Sequence, residues 1–142
     1  MTITATTGNL LKADVDALVN TVNCVGVMGK GIALQFKRTF PENFEEYAAA
    51  CKVDGVQIGK MFVTETGQLS PRLIINFPTK EHWRGKTKLS FVQDGLVDLK
   101  RVICERGVTS LALPPLGCGN GGLDWSAVHP LIVDAFSDMP DI

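Results

Sequence analysis

Residues 109–123 read TSLALPPLGCGNGGL. Thr109–Leu113 is short, apolar and partly β-branched, the pattern of a strand buried on both faces rather than of a helix. It runs straight into a loop, 114–123, that is rich in glycine and carries no charged residue. Glycines raise the entropy cost of folding, so a loop that gathers them has to let its backbone come close to something. The same succession occurs earlier in the chain. Asp16–Val22 is a nearly continuous apolar run, CVGVMGKG follows at 24–31, and a helix then sets Ile32, Ala33, Phe36 and Phe40 on one face until Pro41 stops it. Buried strands that lead through a loop into a helix belong to parallel sheets covered by helices.

The remaining segments fit this scheme. TITATT at 2–7 predicts a first strand. ENFEEYAAAC at 42–51 places Phe44, Tyr47, Ala48 and Cys51 along one helical stripe before Gly55 and Gly59. Lys60–Thr64 and Leu73–Phe77 read as strands joined by ETGQLSPR, which has turn chemistry. Lys86–Arg106 predicts a long amphipathic helix through Leu89, Val92, Leu96, Leu99 and Ile103, with Gly107 in the capping position. Asp124-Trp125-Ser126 opens a last helix carrying Val128, Leu131, Ile132, Ala135 and Phe136. The expected fold class is therefore an α/β sandwich with a mixed, largely parallel sheet.

The 142 residues predict a single domain, with no internal repeat or low-complexity linker. The chain stops at MPDI directly after the last helix, where the pattern calls for another strand, so the domain is expected to be the N-terminal part of a longer protein. Hydrophobic residues make up 45% and charged residues 20%, the balance of a globular protein. A net charge of −1 gives no global basic field, so contact with nucleic acid would need a local patch. Cys24, Cys51, Cys104 and Cys118 show neither CxxC spacing nor a histidine cluster. This argues against a zinc site and a disulfide framework and for reduced thiols in a cytoplasmic protein. The N-terminus has no signal-peptide pattern and no apolar run reaches membrane-span length, so no membrane partner is expected, and no cofactor.

Two glycine loops at the ends of two buried strands point to a phosphorylated ligand. Ligands of open α/β sheets bind at the carboxyl ends of strands, and glycine lets backbone N–H groups approach a phosphate. Neither loop is a GxxxxGK[ST] phosphate loop, and no GxGxxG follows the first strand. Asn20 and Asn23 bracket a strand end: Asn20 reads as a loop staple, Asn23 as a candidate ligand contact. Asn9 is equally suited to capping a helix and to reading a base edge. The segment NFPTKEHWRGK at 76–86 gathers Lys80, His82, Arg84 and Lys86 around Trp83. A partly desolvated lysine can act as nucleophile or base, and a basic patch with an aromatic suits single-stranded nucleic acid.

Four stretches together, TGNLLKADVDALVNTVN (7–23), VMGKGIALQFKRTFP (27–41), INFPTKEHWRGK (75–86) and LPPLGCGNGGLDW (113–125), resemble a macrodomain over nearly the whole chain. The resemblance implies a three-layer α/β/α domain that binds ADP-ribose. Within the family it is nearest to the DarG-type antitoxin macrodomains, relatives of the lysine-dependent terminal ADP-ribose glycohydrolases, which remove ADP-ribose from thymidine in single-stranded DNA. It implies catalytic roles for Lys80 and Asn23. It assigns ADP-ribose to Gly8, Asn9, Leu10, Asn20, Gly29, Lys30, Gly31, Ile32, Thr79, Pro115, Leu116, Gly117, Cys118, Gly119, Asn120, Gly121, Gly122 and Leu123. It assigns DNA to His82, Trp83, Arg84 and Lys86, and it implies a DarT-type toxin as partner, bound through a domain absent from this chain. Two positions depart from the pattern. Ala33 and Gly121 stand where hydrolytic relatives carry aspartates. Three activities thus remain open: a DNA ADP-ribosyl glycohydrolase, a non-catalytic ADP-ribose reader, and an ADP-ribose 1″-phosphate phosphatase.

Overall fold

The structure is a computed structural model and describes residues 8–139; the strand expected over 2–7 lies outside the described residues. The elements run β1 (Ala17–Asn23), α1 (Gly31–Thr39), α2 (Pro41–Cys51), β2 (Phe62–Glu65), β3 (Leu73–Lys80), α3 (Leu89–Arg106), β4 (Leu111–Ala112) and α4 (Trp125–Phe136), with 3₁₀ turns at Leu10–Lys12 and Gly119–Gly121. The sheet order is β2-β3-β1-β4. β3, β1 and β4 are parallel, and β2 is antiparallel to β3.

The period of two along each strand sorts the core into layers. Ala17 and Val19 of β1, with Leu73, Ile75 and Phe77 of β3, pack against Val92, Leu96, Leu99 and Ile103 of α3 and Val128, Ile132 and Phe136 of α4. The alternate residues face the other way. Leu18 and Ile74 meet Phe36 of α1, and Val22 meets Met28 and Tyr47. Burying each such aliphatic or aromatic side chain contributes roughly 1.5–3 kcal/mol. The result is the expected three-layer sandwich with α1 and α2 on one face and α3 and α4 on the other.

One patch of the α2-facing core is polar. Asn76 donates to the Asn43 Oδ1 at 2.8 Å and to the Phe62 carbonyl at 3.0 Å. Asn43 returns a bond to the Asn76 Oδ1 at 3.2 Å, Thr64 donates to the Asn43 Oδ1 at 2.7 Å, and Asn20 reaches the Asn76 Oδ1 at 3.4 Å. At the amino ends of the parallel strands, the Asp16 carboxylate accepts two bonds from Arg72, both at 3.0 Å, and one from the Thr109 N–H at 3.2 Å. The Arg72 hydrogen bond is the main reason the Asp16 carboxyl titrates below its ordinary range.

Several boundaries differ from the sequence reading. β3 continues past Phe77 to Lys80. Pro78 is accommodated because β2 pairs with β3 only as far as Asn76, and the register with β1 then shifts so that Asn23 lies opposite Lys80. α3 begins at Leu89 rather than Lys86, because Lys88 is the extended N-cap, at φ −90° and ψ 147°. β4 is only Leu111–Ala112, because the Thr109 N–H and the Ser110 hydroxyl are turned to Asp16 instead. β2 is displaced to Phe62–Glu65. Gly107 does close α3 in the left-handed conformation, at φ 62°.

Candidate active site

The carboxyl ends of β3, β1 and β4 lie along one edge of the sheet, and each carries part of the candidate site. β1 leads into the first glycine loop, β4 into the second, and β3 ends at Lys80. The two candidate catalytic residues, Asn23 and Lys80, are cross-strand neighbours. The loops are tied to one another: the Cys24 N–H donates to the Glu81 carbonyl at 3.3 Å, and the Thr87 N–H to that of Gly121.

Asn23 organises the first loop. Its Nδ2 donates to the Val27 carbonyl at 2.8 Å. Its Oδ1 accepts from the Val25 N–H at 3.1 Å, the Val27 N–H at 3.4 Å and the Tyr47 hydroxyl at 2.7 Å. Tyr47 is fully buried, and its single hydroxyl proton is shared between that Oδ1 and the Asn23 carbonyl. Burial pushes its phenol well above the usual range and the Cys24 thiol to about 11, so both are protonated at neutral pH. Past this staple the chain reaches Gly29, the N-cap Lys30 and the first turn of α1 at Gly31 and Ile32. Lys30 makes no side-chain capping bond, so the first N–H groups of that turn are left uncapped beside an exposed lysine.

The second loop is held from below. Leu116 is fully buried in the α3/α4 core, so the chain is anchored one residue before Gly117. The Leu123 N–H closes back onto the Gly117 carbonyl at 2.9 Å, and the Gly122 N–H onto that of Gly119 at 3.0 Å. Gly117 has φ 72°, and a Cβ there would lie 2.8 Å from both the Leu123 and the Thr87 side chains. A Cβ on Gly121 would lie 2.5 Å from the Thr87 Oγ1. No aspartate fits at Gly121 without moving Thr87, which gives the departure noted in the sequence a steric basis. Burial holds the Cys118 thiol above its ordinary pKa, so it adds no negative charge beside an anion.

Lys80 is partly buried at the end of β3, and its Nζ donates to the Trp83 carbonyl at 3.4 Å. Desolvation lowers its pKa, and the charge of Lys30 lowers it further. The free amine is therefore more populated than on a surface lysine. Next to it, Trp83 is 43% exposed, with the Arg84 guanidinium 4.6 Å from its ring centroid and the His82 ring at 5.4 Å. The Arg84 N–H donates to the His82 Nδ1 at 3.1 Å, which makes that nitrogen an acceptor. Arg84 and Lys86 are exposed.

The structure thus brings together Lys80, Asn23, Gly29–Ile32 and 117–123, with the His82–Lys86 patch adjoining. Asn9 takes the capping option: its Oδ1 accepts from the Leu11 N–H at 3.0 Å. Gly8 is exposed, and Leu10 packs with Ile32 on the cluster around Phe36, which sets this turn alongside α1. Pro115 is exposed, whereas Leu116 and Thr79 are turned inward. Asn20 corrects its assignment to the ligand: it is fully enclosed beneath Met28 and reaches only core partners, since its place on β1 points at α2. Tyr47 and Thr87 were missed. One looks like another apolar residue of a helical stripe, the other is hidden in a run of lysines. Among the described residues no group of acidic, cysteine or histidine side chains is placed to hold a metal ion, and no helix is long and apolar enough to cross a membrane.

The Macro domain family model matches residues 19–132. A curated relative from Mycobacterium tuberculosis, named DNA ADP-ribosyl glycohydrolase, is 62% identical over 141 residues, covering 99% of this chain and 40% of its own length. The chain thus spans well under half of that relative. Among solved structures, the macrodomain of Mycobacterium tuberculosis DarG superposes with a TM-score of 0.98 at 61% identity, covering 99% of this chain and 93% of that one. Thermosipho africanus DarTG in complex with ADP-ribose matches with a TM-score of 0.87 at 32% identity, covering 94% of this chain and 38% of that one.

Proposed function

The chain belongs to the Macro domain family, and from that premise we propose that it is a DNA ADP-ribosyl glycohydrolase that releases ADP-ribose from thymidine in single-stranded DNA. The observation that carries this reading is Lys80: an amine of lowered pKa, beside Asn23, between two glycine loops and next to an exposed tryptophan. The names of its relatives support the same reading.

In this reading the loops grip the diphosphate, through the first turn of α1 on one side and the second loop's backbone on the other. This sets C1″ of the distal ribose in front of Lys80, where a displacement of roughly an ångström can cost about a hundredfold in rate. The free amine offers its lone pair to C1″ and bonds to it as the bond to the thymine nitrogen breaks. The departing nitrogen keeps that electron pair and takes a proton from the aminium so formed, which restores thymidine. Water then adds its oxygen to C1″, the bond from C1″ to the Lys80 nitrogen breaks with its electron pair and a proton from the water returning to the amine, and ADP-ribose leaves with a hydroxyl at C1″. Trp83 stacks on a neighbouring base, while Arg84 and Lys86 meet phosphates. As a glycohydrolase of this kind the chain would act as an antitoxin against a DNA ADP-ribosyltransferase of the DarT type.

The absence of carboxylates at Ala33 and Gly121 favours a second reading, an ADP-ribose reader without chemistry. One experiment separates them. A single-stranded oligonucleotide bearing one ADP-ribosylated thymidine is incubated with the wild type and with Lys80→Ala, and loss of the adduct is followed by gel shift. Removal by the wild type alone is expected. Removal by neither, with ADP-ribose still bound, would leave the reader; removal by both would end the role of Lys80.

A further inference from the structure

Thr87 is only 5% exposed, and its Oγ1 is fully enclosed with no hydrogen-bond partner among the described residues. A buried hydroxyl in that condition destabilises the state that contains it. It is not remote from the site. The Thr87 backbone N–H holds the Gly121 carbonyl at 2.9 Å. Its Oγ1 would lie 2.5 Å from a Cβ on Gly121, and its methyl 2.8 Å from a Cβ on Gly117. The side chain therefore packs directly against the second glycine loop at Gly117 and Gly121.

We propose that Thr87 is a positioning residue for anion capture, its hydroxyl taking a backbone carbonyl of the second loop as partner when that loop closes on the diphosphate of a bound ADP-ribosyl group. This rests on the reading of the site given above. A trans peptide is planar, with its N–H and C=O pointing in opposite directions. The N–H of Gly121 shares its peptide with the Asn120 carbonyl, so turning that N–H toward a phosphate on the side of the loop opposite Thr87 swings the Asn120 carbonyl toward Thr87. Glycine tolerates the rotation because both signs of φ are open to it. The hydroxyl is then bonded only in the bound arrangement, so ligand binding removes the cost carried by the free protein.

The test compares Thr87→Val, which keeps the shape and loses the hydroxyl, with Thr87→Ser, which keeps the hydroxyl. ADP-ribose affinity is measured by titration calorimetry and the melting temperature by differential scanning fluorimetry without ligand. The valine variant is expected to bind ADP-ribose about 3- to 10-fold more weakly, the worth of one hydrogen bond, while melting at or above the wild-type temperature. The serine variant should bind within about twofold of the wild type, since that bond is kept. Wild-type affinity in the valine variant overturns the inference. So does a valine variant that melts lower or fails to fold, because the hydroxyl would then be bonded in the free protein. A wild type that does not bind ADP-ribose overturns the reading of the site itself and this inference with it.

Discussion

Asn23→Ala separates a residue that shapes the first loop from one that touches the reacting atoms. The substitution removes four hydrogen bonds, from Nδ2 to the Val27 carbonyl and to Oδ1 from the Val25 N–H, the Val27 N–H and the Tyr47 hydroxyl. Val25 and Val27 are 43% and 40% exposed, so water replaces those losses in part, and Tyr47 keeps its bond to the Asn23 carbonyl. At about 1 kcal/mol net per bond, discounted for solvent access, the cost is about 2 kcal/mol. For a domain of this size the melting temperature should fall by about 6–8 °C. If half or more of that energy holds the loop in its binding arrangement, ADP-ribose affinity drops roughly tenfold. Fluorimetry and calorimetry read the two quantities, and single-turnover cleavage of the modified oligonucleotide reads the chemical step. Unchanged melting and unchanged affinity, with cleavage reduced a hundredfold or more, would refute the reasoning and put the Asn23 side chain at C1″.

Other perturbations test other parts of the site. Lys30→Gln removes a like charge that lowers the Lys80 pKa, so that pKa should rise. Cleavage by the free amine then falls at neutral pH and recovers as the pH is raised, and a pH–rate profile that does not move toward alkaline would count against the coupling. Gly117→Ala forces a side chain into φ 72° and against Leu123 and Thr87. A loss of about 2–4 kcal/mol in chemical denaturation is expected, and a loss under 1 kcal/mol would mean the loop relaxes freely. Trp83→Ala should weaken binding of the modified oligonucleotide by about 1–3 kcal/mol while leaving free ADP-ribose alone. Added salt should likewise weaken the oligonucleotide more than ADP-ribose, and equal salt slopes would speak against the Arg84–Lys86 patch.

The buried strands could be read from the sequence because they are apolar throughout, and the loops because glycine has few other uses at a strand end. That Lys80 lies at the sheet edge where the glycine loops begin was legible for the same reason. That it closes a strand was not, because Pro78 looks like an end, and only the short pairing of β2 shows why it is tolerated. Asn20 and Asn23 are the same residue type three positions apart. Their different fates depend on where along β1 each stands, Asn20 inside the strand and Asn23 at its end, and on what α2 presents there. Tyr47 acts through a hydroxyl whose partner, Asn23, lies 24 residues away in the chain, and the Thr87 backbone N–H meets the carbonyl of the still more distant Gly121; no local pattern records such pairings.

The amide cluster of Asn20, Asn43 and Asn76 acts as a ruler for α2. An apolar helix face can shift along a sheet at modest cost, since one aliphatic contact replaces another. Paired amides bond at one offset only, and any slip would strand several of them in the core. Asn43 and Tyr47 stand one helical turn apart, so fixing the first also fixes where the second delivers its hydroxyl. A cluster of leucines would bury comparable surface and leave the helix free to choose its own position. The amides transfer the alignment of two strands to a phenol, and through it to the loop that has to meet a phosphate.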